Sequence, residues 1–444
     1  MTSSDPPVST TDDTTRVESS GRPARRSRAR TGVALAAPLL VLAALLSSGG
    51  LPILSGFAPP SPDGSPVPTA ATATDGPTAT PAASPDATAD TATARPTLPA
   101  PSETPLPPPP RADGDYLLLD RAELLARPMS GPAWDALLEV ADGSTGRPRL
   151  RDQDERHGLT TLAVALVYAR TGDESYRDKA RRQIMRVIGT EREGAHNAVL
   201  ALGRQLGSYV LAADFIGLDG ADDEEFRVWL GEIRTRQLGG HGRWTSLVGT
   251  HEDSANNWGA FAGASRIAAS LYLGDTADVA AAAQVLRGFL GDAVAWPSFQ
   301  PVEDSASWAC EPDRYVPINP PCKRGGIDLD GAIVRDISRG GERDWPPGES
   351  GVSYTLESLQ GLTLQAELLT VNGYGDAWSW SDRALRRAAD VVTRSGEAGG
   401  ETWNRSEVSH HVPWLLNARY GLNLPTEPAG QGRVFGYTDW LYGP

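Results

Sequence analysis

From Tyr116 onward, apolar residues recur at spacings of three and four over most of the chain. In 157–170 they are Leu159, Leu162, Leu166 and Ala169, and in 175–188 they are Tyr176, Ala180, Ile184 and Val187. Both sets follow the 3.6-residue period of a helix with one buried face. Between them Gly172-Asp173 supplies a C-terminal stop and an N-cap, so the pair predicts a helical hairpin. The same Gly-Asp punctuation returns at Gly274-Asp275 and Gly375-Asp376. Further helices are predicted over 132–141, 197–217, 224–236, 352–371 and 377–393, and no strand alternation precedes the two cysteines. Antiparallel hairpins repeated over roughly 300 residues predict an all-α fold, an incomplete (α/α) toroid or barrel. Its inner helices are expected to be rich in Gly and Ala, which permit close approach. A linear α-solenoid is the other arrangement that fits.

The N-terminal part has a different texture. Residues 1–30 are polar and end in Arg22, Arg25, Arg26, Arg28 and Arg30, which reads as a cytoplasmic basic tail. An apolar run follows within 31–57, a membrane anchor or signal segment by the positive-inside rule. Residues 58–112 are rich in Pro, Thr, Ala and Ser and lack apolar periodicity, so they read as a disordered linker. The folded domain is then 113–444. It is expected outside the cytoplasm, tethered to the cell membrane or secreted.

Charge narrows the partners. The chain carries 41 Lys+Arg against 56 Asp+Glu, a formal net charge of −15. Nucleic acid is excluded as a partner, because a phosphate backbone needs a basic face. An acidic polysaccharide demands a site that is locally basic. No metal-ligand spacing, phosphate loop or nucleotide motif is present, so no cofactor is expected; the chain is expected to be a monomer. The only two cysteines, Cys310 and Cys322, lie in a stretch from Ala293 to Ser350 where the helical rhythm stops. Outside the cytoplasm they are expected to pair and to stiffen a groove wall. That stretch also holds Trp308, Tyr315 and Trp345, and it ends in a charged run with Arg335, Arg339 and Arg343 among Asp330, Asp336 and Asp344.

The densest chemistry lies at 249–275. His251, Glu252, Asp253, Asn256 and Asn257 precede an apolar helix carrying Phe261, Ala264, Ala268 and Leu271. Polar groups at the start of a buried helix are held on a rigid support. Asn256 and Asn257 either cap and start that helix or donate to a substrate carboxylate or oxyanion without titrating. His251 is either a structural loop residue or a proton acceptor. His410 and His411 lie side by side near the C-terminus and read as groove or core residues, and His196 falls at a helix start. Tryptophans from Trp244 to Trp440 suit sugar stacking, although most are expected in the core.

Several motifs, in order, carry a resemblance. They are Asn256-Asn257-Trp258-Gly259 opening a helix, the Arg335–Gly341 segment, Ser353-Tyr354 with Glu357 following, Ala366-Glu367, and Gly373 to Trp378. Over roughly 116–440 the chain resembles the alginate lyase domain, of the wider chondroitin AC/alginate lyase superfamily of α/α toroids. The resemblance implies a polysaccharide lyase that removes the C5 proton of a uronate and expels the 4-linked sugar. It places Asn256, Asn257, Tyr354 and Arg339 in the catalytic set, with His251 beside them; Trp258, Arg335 and Glu357, and from their own position His410 and His411, are expected at the substrate. Relatives carry Asn-Asn-His at the helix start; here the third position is Trp258, and His251 is the histidine left to replace it. The family tyrosine matches Tyr354 in the preferred register and Glu357 in the other. An inverting glycoside hydrolase using two of Glu252, Asp253, Asp304 and Glu357 is one alternative. A tethered glycan-binding toroid without catalysis is the other.

Overall fold

The computed structural model describes residues 115–444 except 192, 196, 240–243, 314, 404–409 and 429–431, with backbone alone at 303 and 304. The basic tail, the apolar segment, the linker and His196 lie outside the described residues. Among the described residues no helix is long and apolar enough to cross a membrane.

The domain is mostly helical. Its α-helices are α1 (Arg121–Ala126), α2 (Pro132–Asp142), α3 (His157–Thr171), α4 (Glu174–Val187), α5 (Ala198–Phe215), α6 (Gly220–Ile233), α7 (Leu247–Asp253), α8 (Asn257–Leu273) and α9 (Thr276–Phe289). After a long irregular stretch come α10 (Val334–Ile337), α11 (Glu349–Val371), α12 (Trp380–Glu397), α13 (His411–Tyr420) and α14 (Thr438–Tyr442). The predicted hairpin is α3 with α4. Gly172 closes α3 in the left-handed region at φ 72°, and the Asp173 side chain accepts the Ser175 N–H at the start of α4. Gly274-Asp275 repeats the device between α8 and α9, with Gly274 at φ 72° and Asp275 accepting from Asp278. Gly375-Asp376 does not. There the next helix starts at Trp380 rather than 377, and Ser381, Asp382 and Arg383 first take left-handed angles.

The helices sort by burial. In α5, α8 and most of α3 and α11, residues on every side are buried, whereas α4, α9 and α12 bury one face. A helix apolar all round belongs in an interior. Accordingly α3 packs on α5, α5 on α8 and α8 on α11. Glycine makes these contacts close: a Cβ at Gly361 would stand 2.4 Å from the Ala260 carbonyl carbon, and one at Gly203 would stand 3.1 Å from the Ala262 nitrogen. The expectation that inner helices carry Gly and Ala has this physical basis.

The chain end is locked into the same core. Glu367 of α11 is fully buried and accepts from Arg419 Nε at 2.7 Å, Tyr442 Oη at 2.9 Å and Trp378 Nε1 at 3.2 Å. The stretch between α9 and α11 is ordered around its own small core of Trp308, Leu329, Ala332, Val334, Ile337 and Val391. Cys310 and Cys322 form a disulfide there, with Cα atoms 6.0 Å apart. Inside the loop it closes, Asn319 receives the Cys310 N–H and donates to the carbonyls of Trp308 and Leu329. The antiparallel two-residue strands Lys323–Arg324 and Ile327–Asp328 follow directly.

Candidate active site

Three elements meet at the start of α8. Asn256 is its N-cap: its Oδ1 accepts the Trp258 N–H at 3.0 Å and the Ser254 hydroxyl at 2.6 Å. Asn257 opens the helix and faces two carboxylates. Its backbone N–H points at Asp336 Oδ1 at 3.4 Å, and its Nδ2 donates to Glu357 Oε2 at 3.3 Å. Both asparagines are sealed, at 0% and 1% exposure. Asn256 Oδ1 serves the helix start and Asn257 Nδ2 serves Glu357, while Asn256 Nδ2 and Asn257 Oδ1 are buried without a hydrogen-bond partner among the described residues.

Glu357 lies on the third turn of α11, and arginines reach it from elsewhere. Arg204, from the middle of α5, pairs with it directly, and Arg433 stands with Nε 4.0 Å from its other oxygen. Both arginines also approach Asp154, on the loop before α3, Arg433 at 2.8 Å and Arg204 at 3.7 Å. Beneath, Arg204 lies over the Phe261 ring at 5.2 Å. Burial pulls the Arg204 guanidinium below its usual pKa, and Glu357 opposes that pull.

Asp336, in α10, is fully buried between these groups. Its second oxygen accepts the Ser358 hydroxyl. Burial pushes its carboxyl up to about 7, against the Ser358 hydrogen bond and the nearby Arg339 and Arg335. Desolvation outweighs the favourable partners because a buried charge loses more hydration than two hydrogen bonds and neighbouring cations restore. Arg339 is exposed and sits 4.5 Å over the ring of the half-buried Tyr354. Tyr354 and Glu357 are three residues apart on α11, hence neighbours on one helix face. The two halves of the cluster are thus contiguous: Arg204, Arg335, Arg339 and Arg433 stand beside Asp154, Glu357 and the hard-to-ionise Asp336. In a chain of net charge −15, four arginines gather here against three carboxylates.

No protein-family model matches this chain, and no curated protein does. The site is therefore read from its own geometry.

Other expected residues stand apart from this cluster. His251 is 1% exposed, packed against Gly263 and 3.4 Å from Arg266 Nη1. Burial, then Arg266, holds its pKa well below the usual value. It is an interior residue of the α7–α8 contact, apart from the Arg339–Tyr354 pair. Trp258 is 8% exposed and packs on Trp244, ring centroids 5.4 Å apart, so it is a wall rather than an open sugar platform. Arg335 lies over Trp244 at 4.7 Å. His411 is buried edge-on to Phe435, and His410 is half-buried at the start of α13. Of the alternative carboxylates, Glu252 pairs with Arg266 at 3.1 Å, and the Asp304 side chain lies outside the described atoms. Among the described residues no group of three or more His, Cys, Asp and Glu could hold a metal ion.

Sequence reasoning missed Arg204, Arg433, Asp154 and Asp336. A signal existed for Arg204, a charge in the middle of the apolar run of α5. Asp336 was visible only as one charge in a run, and nothing local marked Asp154 or Arg433.

Proposed function

We propose that this domain is a polysaccharide lyase acting on a uronate-containing glycan by β-elimination. The observation that carries the reading is the Arg339–Tyr354 pair: a reachable phenol under a guanidinium, beside the basic cluster around Glu357. A uronate C5 proton becomes acidic when its carboxylate is neutralised by cations or donors. In this reading Arg339 neutralises that carboxylate, and the basic patch draws in the anionic chain. Asn256 and Asn257 are sealed in the interior, so in this reading they support the site rather than bind substrate. Tyr354, entering as the phenolate with its own proton already given to solvent, takes the C5 proton; the C4=C5 double bond forms as the C4–O bond breaks, and the phenol then passes that proton to the departing 4-oxygen. One double bond and two new chain ends result, one of them unsaturated.

The neighbour order α3, α5, α8, α11 supports an α/α toroid whose inner helix starts line a groove. The disulfide supports a setting outside the cytoplasm. Attachment to a membrane through 31–57 belongs to the same proposal. Incubating the purified protein with a panel of uronate polysaccharides tests it: ultraviolet absorbance of the unsaturated product must rise and must vanish in Tyr354→Phe. New reducing ends without that absorbance would instead point to hydrolysis, and binding without cleavage to a tethered lectin.

A further inference from the structure

The chain enters its helical domain beside a cavity. Asp115 and Tyr116, the first described residues, form one wall of a cavity of about 250 Å³ between the last turn of α3, the end of α5 and the start of α1. Tyr168 and Phe215 add aromatic surface to that of Tyr116, and Arg121 and Asp214 add charge. The frame is fixed. Tyr116 is buried with its ring 4.8 Å from that of Phe215, and Asp214 Oδ2 accepts the Leu117 N–H at 2.7 Å. Arg177 donates to the carbonyls of Ile216 and Gly217, both at 3.0 Å, and so holds the end of α5. Tyr168 is half-buried and Arg121 exposed at the rim.

The sequence says what must stand next to this cavity. Pro107, Pro108, Pro109 and Pro110 lie outside the described residues, and Pro110 is five positions before Asp115. Five residues reach at most roughly 18 Å, and Asp113-Gly114 between them is a turn-forming pair. The prolines are therefore held near the cavity at high effective concentration. A polyproline segment has a preset backbone and carbonyls with no internal partner, and grooves lined by aromatic rings take it at little entropic cost.

We infer that this cavity docks the chain's own Pro107–Pro110 segment. The rings pack on Tyr116, Tyr168 and Phe215, and the Tyr168 hydroxyl and the Arg121 guanidinium donate to proline carbonyls. Arg111, which follows the prolines, meets the carboxylates of Asp115 and Asp214. The domain then begins near Leu106, and the free spacer ends there. None of this rests on the lyase reading.

Trypsin tests it on the full chain. Within 31–120 the bond after Arg111 is the only one open to the protease, since Arg95 is followed by Pro96. A synthetic peptide of residues 101–118 sets the rate for the undocked segment, and mass spectrometry identifies the cut. Docking is expected to slow cleavage after Arg111 by about tenfold or more relative to the peptide. Tyr168→Ala and Arg121→Ala should each restore most of the peptide's rate at a thermal midpoint that shows a folded domain. Should Tyr168→Ala fold poorly, Arg121→Ala decides, because its side chain is exposed. Equal rates in protein and peptide overturn the docking. Protection that a folded Arg121→Ala protein keeps in full also overturns it, since the bulk of the domain alone would then shield the bond. Protection that fades on dilution assigns the cavity to the segment of a second copy and overturns the internal contact.

Discussion

The guanidinium of Arg339 stands 4.5 Å above the ring of Tyr354, one turn of α11 from the carboxylate that Asn257 and Arg204 share. Two residues from segments of different texture, an irregular stretch and a long helix, thereby become one unit.

If Tyr354 moves the proton, Tyr354→Phe keeps the ring under Arg339 and loses the chemistry. Turnover should fall by about a hundredfold or more, with the thermal midpoint essentially unchanged. Arg339→Ala should raise KM as well as lower kcat. A Tyr354→Phe protein that retains most of its turnover would remove the tyrosine from the mechanism.

Asn257 donates to Glu357 and opens α8 beside Asp336, so Asn257→Asp replaces a donor with a second buried negative charge. Destabilisation of roughly 2–4 kcal/mol is expected, above the usual cost of a lost hydrogen bond. Chemical denaturation measures it. A change below half a unit of kcal/mol would show that the amide is not held as described.

Asp336 makes stability depend on pH. Its folded pKa, about 7, lies above the ordinary carboxylate value of 3.8. Its contribution is therefore complete below about pH 4 and is lost as pH rises through about 7, on the order of 4 kcal/mol in all. Asp336→Asn should flatten that part of the pH profile of the denaturation midpoint. A wild-type profile identical to that of the variant between these limits would mean the carboxyl ionises freely.

Glu367 tests the opposite kind of carboxylate. It is sealed, with Arg419, Tyr442 and Trp378 donating to it, and takes no part in the proposed chemistry. Glu367→Ala strands Arg419 and should cost about 3–5 kcal/mol, while the folded fraction keeps its specific activity. Loss of activity at full stability would contradict this division.

The disulfide closes a short loop whose ends are twelve positions apart. Cys310→Ser with Cys322→Ser should lower stability by about 2–3 kcal/mol through loop-closure entropy, read as a drop in thermal midpoint. Reductant should reproduce the effect on the parent protein and leave the double variant unmoved.

Local signals were enough for much of this protein. The period of three and four set α3 and α4 to within two residues at each end, because one-sided burial leaves its mark on neighbouring positions. The Gly-Asp pairs at 172 and 274 marked helix ends because left-handed backbone and a capping carboxylate are local demands. The same pair at 375 misled, since a turn near Trp380 displaced the start of α12. The cysteine pairing was legible because a count of two leaves one choice.

The site was legible only in fragments. Asn257, Tyr354, Glu357 and Arg339 stood out as residue types in motifs. Their partners Arg204, Asp154, Asp336 and Arg433 come from distances of up to hundreds of positions, and no local pattern records such pairings. Burial also decided roles that residue type left open. His251 and Trp258 carry suitable chemistry but are folded inward, and the two asparagines are sealed with them. Sequence by itself determined the helices and the chemical vocabulary. Tertiary packing chose which groups meet, because desolvation and charge pairing act through space and not along the chain.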